Sequence, residues 1–252
     1  MHNNKYQNQF AYRTDIGRVR LSNQDQVNII VNANDDVLML VADGMGGANS
    51  GDYASKLAAD SLSESFQKAP LFLSIYAAKL WLQRAVNKAN TLIYNTSLSA
   101  PQYQGMGTTI VLILIHQNRM AMLSAGDSRA YHLANDSLKQ LSEDQSYVEY
   151  LKRIGQITAE EAKNRPDKNI LMNALGIYPT VSFDSRTFRY NNEPLLLCSD
   201  GLFNNLDDKS IERILKSTKS AQDKVLSLIA EANQNGGTDN IAVAYFQRVK
   251  DE

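Results

Sequence analysis

DQVNIIVNANDDVLMLVADGMGG, residues 25–47, is the stretch whose reading decides the fold. Two short apolar, β-branched runs, Val27–Asn32 and Val37–Ala42, flank the polar turn Asn32–Asp36. Runs this short joined by so tight a turn form an antiparallel pair, because parallel strands need a long crossover. The start of one strand and the end of the other then share an edge. Asp25 and Asp43 sit at those two positions and become neighbours by topology alone.

Working outward, the same pattern recurs. Strand-like runs span Thr108–His116, Met120–Ala125, Ala130–Ala134, Val181–Arg189, Leu195–Ser199 and Ile241–Phe246, most of them joined by compact polar turns. Two long helices interrupt them. From Gly51 to Phe66 the residues Ala54, Leu57, Ala58, Leu62 and Phe66 share one face, and from about Leu71 to Ser97 so do Leu82, Val86, Ala89 and Ile93. A further helical pair is expected at Asp207–Leu215 and Ala221–Asn233. Antiparallel strands beside antiparallel helix pairs give an α+β sandwich. With no repeat, linker or low-complexity stretch, residues 1–252 are expected to form one domain. Residues 145–175, mostly helical in pattern with breaks at Gly155, Asn164 and Pro166, read either as a flap beside a site or as a packed connection.

Composition narrows the chemistry. Twenty-six basic against 27 acidic residues advertise no surface for nucleic acid or anionic lipid. One cysteine, Cys198, and three scattered histidines exclude a disulfide framework, a thiolate zinc cage and a histidine-rich metal site. The polar opening MHNNKYQNQF lacks the apolar core of a secretion signal, and the longest apolar run, Ile110–Ile115, is far too short to cross a bilayer. A cytoplasmic protein is the expectation.

The acids carry the functional signal. Asp25 and Asp43 flank the hairpin, Asp127 follows a strand, Asp200 closes LLLCS, and Asp239 opens IAVAYF. Each has an innocent reading, since Asp-Gly is a turn dipeptide and strand ends are often acidic. Together, five acids on one rim must be neutralised. Oxygen ligands without Cys or His suit magnesium or manganese rather than zinc. Two such ions roughly 3.5–4 Å apart are a recurring device for phosphate-ester hydrolysis, and Gly44 would let the backbone beside Asp43 turn and offer its carbonyl.

Other readings fail on particular residues. A cysteine-dependent phosphatase needs Arg where Asn204 stands. GDSRA around Ser128 is followed by a strand, not the helix of a nucleophile elbow. GMGGANSG (44–51) has Asn49 where the last glycine of a dinucleotide turn belongs, and no GK[ST] marks a P-loop.

Six ordered segments, RLSNQD (20–25), VADGMGG (41–47), GTT (107–109), AGDSR (125–129), CSDG (198–201) and GTDN (237–240), resemble the metal-dependent PP2C-type serine/threonine phosphatases, particularly their compact bacterial branch. The resemblance runs from about Tyr12 to Val249. It implies a four-layer αββα sandwich, with 145–175 as a flap bordering the cleft. It implies that Asp43 bridges two manganese or magnesium ions with the Gly44 carbonyl on one, and that Asp200 and Asp239 hold the other. Asp127 helps hold a third, weaker ion, Asp25 reaches metal through water, and Arg20 grips the substrate phosphate. A metal-activated water then attacks phosphoserine or phosphothreonine. The implied partners are a eukaryotic-type bacterial Ser/Thr kinase and its phosphorylated targets, and the chain is expected to act as a monomer. Gln24 replaces a common Glu, and Met45 replaces the His proposed as general acid in many eukaryotic relatives, which leaves the proton donor unassigned. The alternative is a non-catalytic phosphoprotein-binding scaffold, which predicts lost metal acids; Asp43, Asp127, Asp200 and Asp239 are all present.

Overall fold

A computed structural model describes residues 6–163, 165–167 and 170–250; the expected break at Asn164 and the first five residues lie outside that range. In chain order the strands and helices are β1 (Tyr6–Asp15), β2 (Asp25–Val31), β3 (Val37–Met45), α1 (Gly47–Gln67), α2 (Ile75–Ser97), β4 (Gly107–Thr108), β5 (Ile110–His116), β6 (Arg119–Ala125), β7 (Arg129–Ala134), β8 (Ser137–Gln140), α3 (Tyr147–Arg153), α4 (Ala159–Lys163), β9 (Asp184–Arg189), β10 (Leu195–Cys198), α5 (Asp200–Phe203), α6 (Asp208–Lys216), α7 (Ala221–Gln234) and β11 (Ile241–Lys250).

The strands form two antiparallel sheets, β1-β11-β10-β7-β8 and β2-β3-β5-β6-β9, with β4 added beside β3. Three buried clusters make the layers. One lies between the sheets around Met39, Val111, Ile113, Leu197 and Phe246. A second packs α1 and α2 on the outer face of the β3 sheet through Ala58, Leu62, Leu82, Val86, Leu112 and Leu114. A third packs α6 and α7 on the β11 sheet through Ile211, Leu215, Leu228 and Val243. Because helices cover one face and the opposing sheet the other, β5 is buried at every position and reads as an unbroken apolar run, IVLILIH. Ser74, Asp207 and Ser220 fix the starts of α2, α6 and α7 by accepting a backbone N–H three residues on.

Several expectations need correction. Strands β1 and β8 are absent from the sequence reading because they carry almost no apolar alternation: of residues 7–15 only Ala11 is buried. The run Thr108–His116 is divided at Thr109, which leaves the ladder to bond Asp43. The segment 145–175 is helical only over α3 and α4. Neither Asp-Gly pair is a turn: Asp43–Gly44 lies within β3, and Asp200–Gly201 opens α5.

Candidate active site

The β2–β3 hairpin forms in the register the sequence implies, with Asp25 directly opposite Asp43. Asp25 is almost wholly buried, at 1% exposure. Its Oδ2 accepts from Ser199 Oγ at 2.6 Å, while its Oδ1 is buried with no hydrogen-bond partner. Ser199 Oγ in turn accepts the Ala242 N–H at 2.8 Å, so one hydroxyl ties β2 to the ends of β10 and β11.

Asp43 is clamped through its backbone. Its N–H donates to Thr109 Oγ1 at 3.1 Å, and its carbonyl accepts from the Thr109 N–H at 2.8 Å and Thr108 Oγ1 at 2.9 Å. That is the structural use of the GTT segment. Gly44 serves a packing need: a Cβ there would stand 2.1 Å from the Gly51 carbonyl oxygen and 2.8 Å from that of Gln24. Only a bare Cα lets α1 approach β3 this closely. The same holds at Gly201, where a Cβ would meet the Asn240 carbonyl oxygen at 1.9 Å.

Asp127 sits in the turn from β6 to β7, where the chain passes from one sheet to the other. The Gly126 N–H and carbonyl bond the Gln145 side chain and N–H, fastening this turn to the root of the 145–175 segment. Asp200 begins α5 and accepts from Asn204 Nδ2 at 3.0 Å. Asp239 accepts from Arg20 Nη2 at 2.7 Å and, through Oδ1, from the Asn240 N–H at 2.8 Å.

Arg20, Asp43, Gly44, Asp127, Asp200 and Asp239 line one cleft of about 780 Å³ between the two sheets, and Asp25 lies beneath its floor. Arg20 is the one cation among the described lining residues. Burial, then repulsion from neighbouring acids, raises the carboxyls of Asp43, Asp127 and Asp200: Asp43 well above its ordinary value, Asp127 to about 7 and Asp200 to about 6. Burial likewise pushes Asp25 to about 7, against the bond from Ser199. The site therefore gathers more acids than its one arginine can match. A second cavity of about 750 Å³ beside α3 differs in this respect, because its Arg129 and Lys152 are matched by Asp144 and Glu149.

The donor set suits hard divalent cations: oxygen atoms only, excess negative charge, and an orphaned buried acceptor on Asp25. Among the described residues no three acid, His or Cys side chains close into a ready-made ligating group. Asp25 and Asp43 stand side by side on paired strands, and Arg20 lies against Asp239.

The family model described as Protein phosphatase 2C matches residues 17–234. This chain belongs to that family. It is 40% identical over 238 residues to the serine/threonine phosphatase stp of Listeria monocytogenes serotype 4b, covering 94% of each chain. Its fold superposes on the serine/threonine phosphatase of S. agalactiae with a TM-score of 0.91 at 33% identity, covering 96% of this chain and 99% of that one. It is also similar to the catalytic domain of the phosphatase PstP, solved with two manganese ions, with a TM-score of 0.83 at 32% identity, covering 97% and 100% of the two chains.

Three residues escape the sequence reading although they stand in the family segments. Ser199 positions Asp25. Asn240 accepts the Gln24 N–H through Oδ1 and donates to the carbonyls of Ile16 and Ser22, pinning the loop that carries Arg20. Arg129 forks onto Asp144 with contacts of 2.7 to 3.1 Å, donates to the Tyr131 hydroxyl, and stacks 3.6 Å over Phe203. It thereby links the Asp127 turn, α5 and the root of the flap-like segment. The available signal was adjacency: each lies within two residues of a predicted acid.

Proposed function

We propose that this chain is a divalent-metal-dependent protein phosphatase that hydrolyses phosphoserine and phosphothreonine. The observation carrying the reading is the convergence of Asp43, Asp127, Asp200 and Asp239 with a single exposed arginine in one cleft, over a buried unpaired oxygen of Asp25. The presence of all these acids weighs against a non-catalytic scaffold. The PstP structure with manganese supports the choice of metal class.

Asp43, the Gly44 carbonyl, Asp200 and Asp239 would hold two manganese or magnesium ions, with Asp127 contributing to a third, weaker site and Asp25 acting from beneath through water. Bound there, such ions neutralise the acids, activate water as the nucleophile and offset charge developing on the phosphoryl oxygens. The chain itself provides the rest. Thr108 and Thr109 fix the Asp43 backbone, so its carboxylate is preorganised. Arg20, with a side chain 54% exposed, is free to trade Asp239 for a phosphate, to which its planar fork is matched. Met45 provides no proton at the position it holds beside the cleft. Residues 145–175 act as the flap bordering the cleft, within a single catalytic domain. The substrates are phosphorylated proteins, with a bacterial Ser/Thr kinase and its targets as partners and the monomer as the working unit. No described helix is long and apolar enough to cross a membrane.

The test is hydrolysis of p-nitrophenyl phosphate and a phosphothreonine peptide with manganese, with and without chelator. Asp43→Asn should lose nearly all turnover and most bound manganese. Retained turnover, or chelator resistance in the wild type, would remove the reading.

A further inference from the structure

The cleft has walls of a different chemistry from its floor. Val19 and Leu21 stand on either side of Arg20 and are 63% and 100% exposed. Both line the cleft, together with the half-buried Met45 and Leu171. A single exposed apolar residue requires no explanation, but two exposed and two half-buried ones around one opening mark a contact surface. Leu21 packs against nothing, so the fold gains nothing from its being leucine.

The loop that presents these side chains is built rather than loose. The Gly17 N–H bonds Asp15 Oδ1, the Arg18 N–H bonds the Gly237 carbonyl at 2.8 Å, and Asn240 grips Ile16, Ser22 and Gln24. Val19 and Leu21 are thus held out towards the cleft mouth by a preorganised backbone, which lowers the ordering cost of a contact there. Charge points the same way. Arg20 is the one described cation in the lining and is committed to Asp239 or to phosphate, so an acidic flank finds no partner there.

We propose that this apolar collar is a specificity element, and that its occupant is the substrate polypeptide: a phosphoprotein segment bearing aliphatic side chains next to the phosphorylated residue. The proposal rests on the phosphatase reading and adds the sequence class of the substrate. Arg20 holds the phosphate while Val19, Leu21 and Leu171 close over the neighbouring side chains.

The experiment uses the full chain with manganese and two phosphothreonine peptides, identical except that the two residues on each side are leucine in one and serine in the other. The ratio of their kcat/KM values should be about tenfold or more, the scale of burying one aliphatic side chain. It should arise chiefly in KM and fall towards one in the Val19→Ser, Leu21→Ser double variant. Both positions are exposed, so the variant retains its core, and the ratio is internal to each protein. A wild-type ratio near one, or a ratio unchanged in the double variant, overturns the inference while hydrolysis of p-nitrophenyl phosphate preserves the phosphatase reading. Failure to hydrolyse p-nitrophenyl phosphate as well would overturn both.

Discussion

Replacing Asp25 by asparagine should stabilise the protein in the presence of chelator, against the usual direction for a change at a residue only 1% exposed. A tenfold change in proton affinity corresponds to about 1.4 kcal/mol. A carboxyl moved from 3.8 to about 7 therefore costs the fold about 4 kcal/mol once it is ionised. Asparagine removes that cost and keeps an oxygen to accept from Ser199. It also places amide hydrogens where Oδ1 is buried without a partner, a penalty of about 1–3 kcal/mol. The net gain is about 1–3 kcal/mol above neutral pH.

The sign depends on pH. Because the folded-state value lies above the unfolded one, the native protein binds this proton more tightly, and the cost of the charge is absent below about pH 4. It grows as the pH rises through about 7, so the wild type loses stability across that window and the asparagine variant loses less. Urea denaturation with chelator at about pH 4 and about pH 8 checks both ends, and the two proteins should exchange order between them. With manganese at 100 times its Kd the wild type gains about 2.7 kcal/mol, and the variant should gain less. An Asp25→Asn protein less stable than wild type at about pH 8 with chelator would refute the charge argument.

Arg20→Ala should chiefly raise KM for a phosphopeptide, by roughly tenfold or more as a charge-assisted contact is lost, and steady-state kinetics would show it. Asp43→Asn, in contrast, should lower kcat and manganese binding together, read by turnover and calorimetry. Arg129→Ala leaves Asp144, whose side chain is 9% exposed, without its charge partner and with only the Gln140 amide donating to it, and should cost up to about 3–5 kcal/mol in urea unfolding; a loss under about 1 kcal/mol would show that the fork carries little. Gly201→Ala drives a Cβ against the Asn240 carbonyl and should cost at least about 1–3 kcal/mol while displacing Asp200, seen as weaker manganese activation.

What was legible in the sequence follows from what repeats. The hairpin register that sets Asp25 against Asp43 is written in two apolar runs and a turn, and α1 and α2 in their spacing. Strands β1 and β8 were not legible, because their hold on the sheets comes from backbone ladders to β11 and β7 rather than from buried side chains. Likewise the acids could be counted but not the neutral groups that hold them. Ser199 is 174 positions from Asp25 and Asn240 is 216 from Gln24, and no local period encodes bonds of that range.

This division has a physical basis. The hydrophobic pattern specifies layers and brings strand ends to one edge without regard to what those ends carry. Placing four further carboxylates around Asp25 then works against folding, as the raised Asp43, Asp127 and Asp200 carboxyls record. Ser199, Thr109 and Asn240 supply hydrogen bonds but no charge, so they fix the geometry and leave the repulsion in place. A cation among these groups would have spoiled the site by satisfying it. Arg20 comes nearest, yet it stands at the exposed rim on a single contact, where its bond to Asp239 is screened by solvent and easily given up. The residual charge is therefore a property the fold preserves, and it gives divalent ions and a phosphate their reason to bind together.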